Sequence, residues 1–127
     1  MKIERKIDAE DELRQIMTGH VKTYCRPLPA SYQIPHAEVS IVGGTEGEKI
    51  DTFDLLINIR AETEAEASET MRNYLAIAKK EIESQKTAFA TFAVNSQWSW
   101  GRDASRPDLA LCQARVIVKA HPEEINI

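Results

Sequence analysis

Cysteine is scarce in this chain: Cys25 and Cys112 are the only two among 127 residues. They form no C-x-x-C and are too few for a disulfide framework, which argues against a stapled secreted scaffold. Both read as small apolar residues of a core. Glycine and proline number five each, too few for a collagen-like, low-complexity or disordered chain. No apolar run approaches the roughly 20 residues of a membrane helix, so nothing is expected to span a bilayer. The start, Met1-Lys2-Ile3-Glu4-Arg5-Lys6, holds neither a secretory apolar segment nor an Arg/Ser-rich transit pattern, and points to the cytoplasm. Clustered positive charge is also missing. Sixteen Lys and Arg against twenty Asp and Glu leave a net charge of −4, and Lys79-Lys80 is the only adjacent basic pair after Arg5-Lys6. Phosphate affinity comes from clustered Lys and Arg, so no dedicated nucleic-acid binding is expected.

What remains is an ordinary mixture, 43% hydrophobic and 28% charged, long enough for one domain with its own core. Asp8 is placed to cap a first helix, in which Leu13, Ile16, Met17, Val21 and Tyr24 recur at spacings of three and four. That helix should end near Thr23 to Cys25, since Arg26-Pro27-Leu28-Pro29 cannot continue it. The segment to Pro35 reads as a crossing loop. Ala37, Val39 and Ile41 alternate with polar residues in a strand expected to stop at Gly43-Gly44. After the polar stretch Thr45 to Lys49, Phe53, Leu55, Ile57 and Ile59 alternate in a second strand, so a hairpin joins the two.

Thr63-Glu64-Ala65-Glu66 is a capping box. The helix it opens has an apolar stripe of Ala67, Met71, Tyr74, Leu75, Ala78 and Ile82, with acidic residues near its start and Lys79 and Lys80 near its end, as the macrodipole favours. Ala90, Phe92 and Val94 mark a third strand that either continues through Trp98 and Trp100 or breaks at Asn95-Ser96. A final strand runs from about Leu109 to Ala120, with Cys112, Ala114, Val116, Val118 and Ala120 on one face; His121-Pro122-Glu123-Glu124 reads as a stop. The order α-β-β-α-β-β predicts an α/β (α+β) domain: a single four-stranded mixed or antiparallel sheet with two main helices on one face.

Chemistry is sparse. His20, His36 and His121 share no ligand spacing and lie far from both cysteines, so they read as surface or rim residues and no metal site is expected. Gly44 to Lys49 joins strand to strand and carries two glutamates, unlike a phosphate loop. There is no G-x-S-x-G elbow and no base placed beside a nucleophile; no catalytic residue and no cofactor is expected. Trp98 and Trp100, close to Arg102 and Arg106, form the residue mixture enriched at interface anchors.

The middle of the chain resembles the tail terminator (tail-completion) proteins of tailed bacteriophages. The likeness rests on Pro35-His36-Ala37-Glu38-Val39-Ser40-Ile41-Val42-Gly43-Gly44-Thr45, a polar hairpin, Asp51, a strand ending at Ala61, and a helix opened by Thr63 with Ala67 inside. Pro107-Asp108 before a long last strand adds to it. Relatives often carry a basic residue just before V-G-G, where this chain has Ser40-Ile41. The resemblance implies a small α/β protein that forms a homo-oligomeric ring, usually a hexamer, on the head-proximal end of the tail tube. It implies contact with the tail tube protein and a head-completion protein, a place in the virion tail after assembly in the host cytoplasm, and no enzymatic activity.

A ring needs two different patches on one subunit. The candidates are the 43 to 52 hairpin, with Gly43, Gly44, Glu46, Glu48 and Lys49, and the segment holding Trp98, Trp100, Arg102 and Arg106. The alternative is a small cytoplasmic ligand-binding or regulatory α/β domain with a pocket near Trp98 and Trp100.

Overall fold

Two eleven-residue segments with an apolar residue at every second position form the centre of the molecule. In strands β4 (Asp51–Ala61) and β7 (Ala110–Ala120) buried residues alternate with more exposed ones, the pattern of strands with one face in the core. They pair antiparallel along their whole length, from Asp51 opposite Ala120 to Ala61 opposite Ala110. The computed structural model describes residues 1–84, 87–94 and 98–127.

Around this pair the sheet extends both ways. On one side β3 (His36–Thr45) lies antiparallel to β4, and β2 (Thr23–Cys25) lies parallel to β3 at the edge. On the other side β5 (Phe89–Val94) and β6 (Ser99–Arg102) share the far edge of β7. The strand order is β2-β3-β4-β7-β5, with β6 also on β7. A separate two-stranded ribbon joins β1 (Lys2–Arg5) to β8 (Glu123–Asn126).

Helix α1 (Ala9–Ile16) starts at Asp8, whose carboxylate accepts from the Asp11 N–H at 3.1 Å. Helix α2 (Glu64–Glu83) starts at Thr63, whose hydroxyl oxygen accepts from the Glu66 N–H at 3.1 Å; both bonds satisfy donors left open by a helix N-terminus. Leu13 and Met17 from the first helical segment, and Ala67, Met71, Tyr74, Leu75, Ala78 and Ile82 from α2, join one core with the inward residues of β3, β4 and β7. The fully buried Tyr74 hydroxyl lies 3.2 Å from the Thr23 hydroxyl, which ties α2 to the edge strand β2.

The expectation of a single four-stranded sheet is overturned: among the described residues there are six strands in one sheet and two in another. Each departure has a local cause. The first helix stops at Met17 rather than near Thr23, because the chain turns at Gly19, the one described glycine with a positive φ (83°). That conformation is open to glycine at little steric cost. Residues 23–25 then run alongside Ala37 to Val39 in a parallel pairing that no local pattern announces. β3 continues past Gly43-Gly44 to Thr45 through a bulge between Ile41 and Gly43. β1 and β8 are short and far apart in sequence, β1 wholly exposed and β8 at most half-buried, so no local pattern announces their pairing. The expected stop after His121 is therefore a strand. The possible break at Asn95-Ser96 lies outside the described residues; on either side of it, β5 and β6 pair separately with β7.

Leu75 is 8% exposed within the α2 stripe. Leu75→Ala should cost about 2–5 kcal/mol, the range for truncating a buried leucine. Urea denaturation of the variant checks this, and a shift under about 0.5 kcal/mol, typical of surface changes, would remove Leu75 from the core.

Candidate functional site

The hairpin between β3 and β4 is a tight polar tip. Gly43 and Gly44 pair with Asp54 and Phe53 in its arms. A Cβ at Gly47 would sit 2.1 Å from the Ile50 carbonyl oxygen, so this turn admits only glycine there without moving. Glu46, Glu48 and Lys49 are exposed. Glu46 is ion-paired with Lys6, and the Lys49 carbonyl accepts from His121 Nδ1 at 2.8 Å. The ends of the chain thus buttress the hairpin base.

The second candidate surface lies on β6 and the loop after it. Trp98 packs against the core, whereas Trp100 is 49% exposed. Their ring centroids are 6.0 Å apart at 47°, within the distance range of interacting aromatic pairs. Trp100 faces the helix side of the sheet, opposite Cys112, and its indole N–H donates to the Ser68 hydroxyl of α2 at 2.6 Å. Arg102 is exposed opposite Ala110. Arg106 grips Asp108 with two bonds, Nε to Oδ1 at 3.1 Å and Nη2 to Oδ2 at 2.8 Å.

The structure does not bring these two groups together. The hairpin lies at the Asp51/Ala120 end of the sheet and β6 at the Ala61/Ala110 end, on opposite sides of the β4–β7 pair. Ten residues of strand at about 3.4 Å each separate the ends by roughly 34 Å. The two surfaces occupy diagonal corners of one sheet.

A polar cluster absent from the sequence reading lies at the end shared with β6. Arg60 is the last outward-facing residue of β4, and its side chain is only 11% exposed. Its Nε donates to Asp103 Oδ2 at 2.9 Å and its Nη1 to Glu38 Oε1 at 3.0 Å. Nη1 also lies 3.3 Å from His36 Nε2. His36 is fully buried, which corrects its placement as a surface or rim residue; His20 and His121 are exposed. His36 Nδ1 lies 2.7 Å from the Gln33 carbonyl; a carbonyl only accepts, so Nδ1 carries the proton and the Nε2 lone pair faces Arg60. The rings of Tyr24 and Tyr32 meet the imidazole edge-on, with centroids 5.1 and 4.7 Å away. Two loops, 26–35 and 103–109, are thereby fastened to the outer face of the sheet.

Burial lowers the His36 pKa, and the Arg60 cation adds to the effect against the opposing pull of the Gln33 carbonyl and the carboxylates of Glu38 and Asp103. Burial alone would raise the Asp103 pKa, but the Ser105 N–H and hydroxyl and the Arg60 guanidinium outweigh it and hold the carboxyl below its ordinary range. Nε and Nη1 of Arg60 are directed to these partners, so the cluster acts as a structural clamp. The thiols are not activated either: burial pushes Cys112 up to about 11, and Cys25 also upward. Among the described residues no group of three or more His, Cys, Asp or Glu side chains is placed to hold a metal ion.

The far side of β3 is closed by a different pair. Glu10 of α1 accepts from the Ile41 N–H at 3.0 Å and from Arg26 Nη2 at 2.7 Å, and the same Arg26 nitrogen donates to the Ile41 carbonyl at 3.3 Å. No protein-family model matches the chain, and no curated protein matches it.

Two variants test the clamp. Arg60→Ala leaves Asp103 and Glu38 buried without their cation and should cost about 3–5 kcal/mol, as for removing one partner of a buried pair. The His36 effect has a definite sign. Its folded pKa lies below its unfolded value near 6.5, so the folded state binds fewer protons, and stability falls as pH drops below about 6.5 toward the folded pKa. Chemical denaturation at pH 7.5 and pH 5 should show that loss, and His36→Gln should reduce it; an unchanged slope in the variant would mean that His36 is not its source.

Proposed function

We propose that this chain is a structural assembly protein of the phage tail terminator kind, which caps the head-proximal end of a tail tube, stops its polymerisation and forms the joint to a head-completion protein. One observation carries the reading: two exposed patches of different chemistry stand at diagonal corners of one sheet. Heterologous contacts, in which one patch of a subunit meets a different patch of its neighbour, are what close a ring. The hairpin corner offers Glu46 and Glu48, and the other offers Arg102, Arg106 and the half-exposed Trp100 ring. An exposed tryptophan supplies the anchor of a desolvated interface; Glu46 and Arg106 are already paired within the chain, with Lys6 and Asp108.

The rigidity of both corners fits the same role. The hairpin is held by Lys6 and His121, and the loop after β6 is held by Arg60 through Asp103. A partner then meets preformed surfaces and little ordering entropy opposes docking.

Trp100→Ala combined with Arg102→Glu should abolish ring formation and produce overlong tails in a complementation assay read by electron microscopy, with circular dichroism showing an intact fold. Tails of normal length from the folded double variant would remove this corner from the interface and, with it, the main support for the ring.

A further inference from the structure

The two long edges of the sheet are treated unequally. On one side β2 is only three residues long and runs into Arg26-Pro27. Beyond it, the open edge of β3 is plugged at Ile41, whose N–H and carbonyl are taken by Glu10 and Arg26. Short strands, proline and side-chain plugs are how proteins keep an edge from pairing. On the other side β5 has such devices only at its start, where a bulge falls between Phe89 and Thr91 and the Thr87 hydroxyl donates to the Phe89 carbonyl at 3.3 Å, and among the described residues none over Thr91 to Val94. Its sequence, Phe-Ala-Thr-Phe-Ala-Val, contains no charge, proline or glycine, and Val94 is 46% exposed. Leu75, Ala76 and Lys79 of α2 and Phe92, Ala93 and Val94 of β5 line a groove along this edge.

We propose that the β5 edge is a seam at which two copies of this chain pair about a two-fold axis, β5 against β5, joining two sheets into one. The occupant follows from the asymmetry of the edges. With the opposite edge plugged at Ile41, the uncharged strand on the open side is β5, since β6 on the same edge of β7 holds Gly101 and ends at Arg102, and two like strands related by a two-fold axis run antiparallel. Charge on α2 fits this arrangement. Arg72, Ala76, Lys79 and Glu83 are all exposed and recur at spacings of four, three and four, so they share one flank of the helix. Ala76 and Lys79 place that flank on the groove. A two-fold axis centred between residues 77 and 78 reverses the order and sets Arg72 opposite the partner's Glu83 at both ends, with Ala76 opposite the partner's Lys79. The same centre lies beside Phe92 and Val94, where the groove places β5. Glu83 sits 4.0 Å from Lys79 of its own helix, an exposed pair weak enough to rearrange.

With the axis beside Phe92 and Val94 about four residues of edge overlap, a span of about 13 Å; with one helix layer alongside, the seam covers roughly 300 Å² of each copy, below the usual size for specific association. The dimer is therefore weak and concentration-dependent. It does not rest on the ring reading, because none of its residues belongs to the hairpin or to the set Trp100, Arg102 and Arg106.

Sedimentation equilibrium of the full chain, over concentrations from micromolar to millimolar, tests the seam. The wild type should fit a monomer–dimer equilibrium. Arg72→Glu and Glu83→Arg should each weaken it about tenfold, the effect of about 1.4 kcal/mol, and the combined reversal should recover most of that loss, since the two-fold axis restores both pairs. Val94→Lys should abolish the dimer while circular dichroism stays unchanged. A wild type that remains monomeric throughout overturns the proposal, as does a combined variant no tighter than the single ones. A wild-type hexamer indifferent to all four changes overturns it too and leaves the ring reading standing, whereas a dimer that never forms rings supports the seam and counts against the ring.

Discussion

Strands β4 and β7 are held in one register over eleven residues, and every other feature of the molecule takes its position from that pairing. A slip of one residue would turn Phe53, Leu55, Ile57 and Ile59 out of the core and Asp54, Asn58 and Arg60 into it. Burying three polar or charged residues without partners is far costlier than any gain elsewhere could offset. The register also sets the ends of the sheet: Asp51 and Ala120 at the hairpin, Ala61 and Ala110 at the β6 loop. The separation of the two proposed contact corners is thus a property of this one strand pair.

On the outer face the β3–β4 register aligns His36 of β3 with Arg60 of β4. Arg60 then reaches Glu38 on its own sheet and Asp103 in the loop beyond β6. A buried pair of this kind need not add net stability over an apolar replacement, but it fixes one arrangement because each charge is costly without the other. It joins three chain segments that share no local pattern, and it does so where the loop carrying Arg106 leaves the sheet.

The edges show a division of labour. Glu10 and Arg26 satisfy both exposed backbone groups of Ile41, so that side is closed by the chain itself. The β5 side has only apolar and small residues, which a solitary chain in water would not keep exposed at no cost. Assembly proteins meet this problem by leaving one surface open to a defined partner, which ties the proposed seam and the proposed ring to one economy of surface.

Local pattern was enough to place α2, β4 and β7: a Thr63 cap, a stripe from Ala67 to Ile82 and two clean alternations are short-range signals, and the chain honours each. The interface candidates were chosen from short-range signals of the same kind, turn glycines, clustered tryptophans and nearby arginines. What could not be read was whatever depends on two distant segments meeting. The parallel pairing of Thr23–Cys25 with Ala37–Val39, the ribbon joining the two ends, and the contact of His36 and Glu38 with Arg60 and Asp103 all close long loops. A single polar residue in a strand, such as Arg60, looks solvated until the partner loop is known. By itself the sequence determined that the cores of α1, α2, β3, β4, β5 and β7 are helix or strand and which of their faces are apolar, because those follow from periods of 3.6 and 2. The tertiary structure alone decided that His36 is buried, that one sheet edge is plugged and the other open, and that the two candidate surfaces stand at opposite corners, because burial and edge exposure are properties of neighbours that local sequence does not contain.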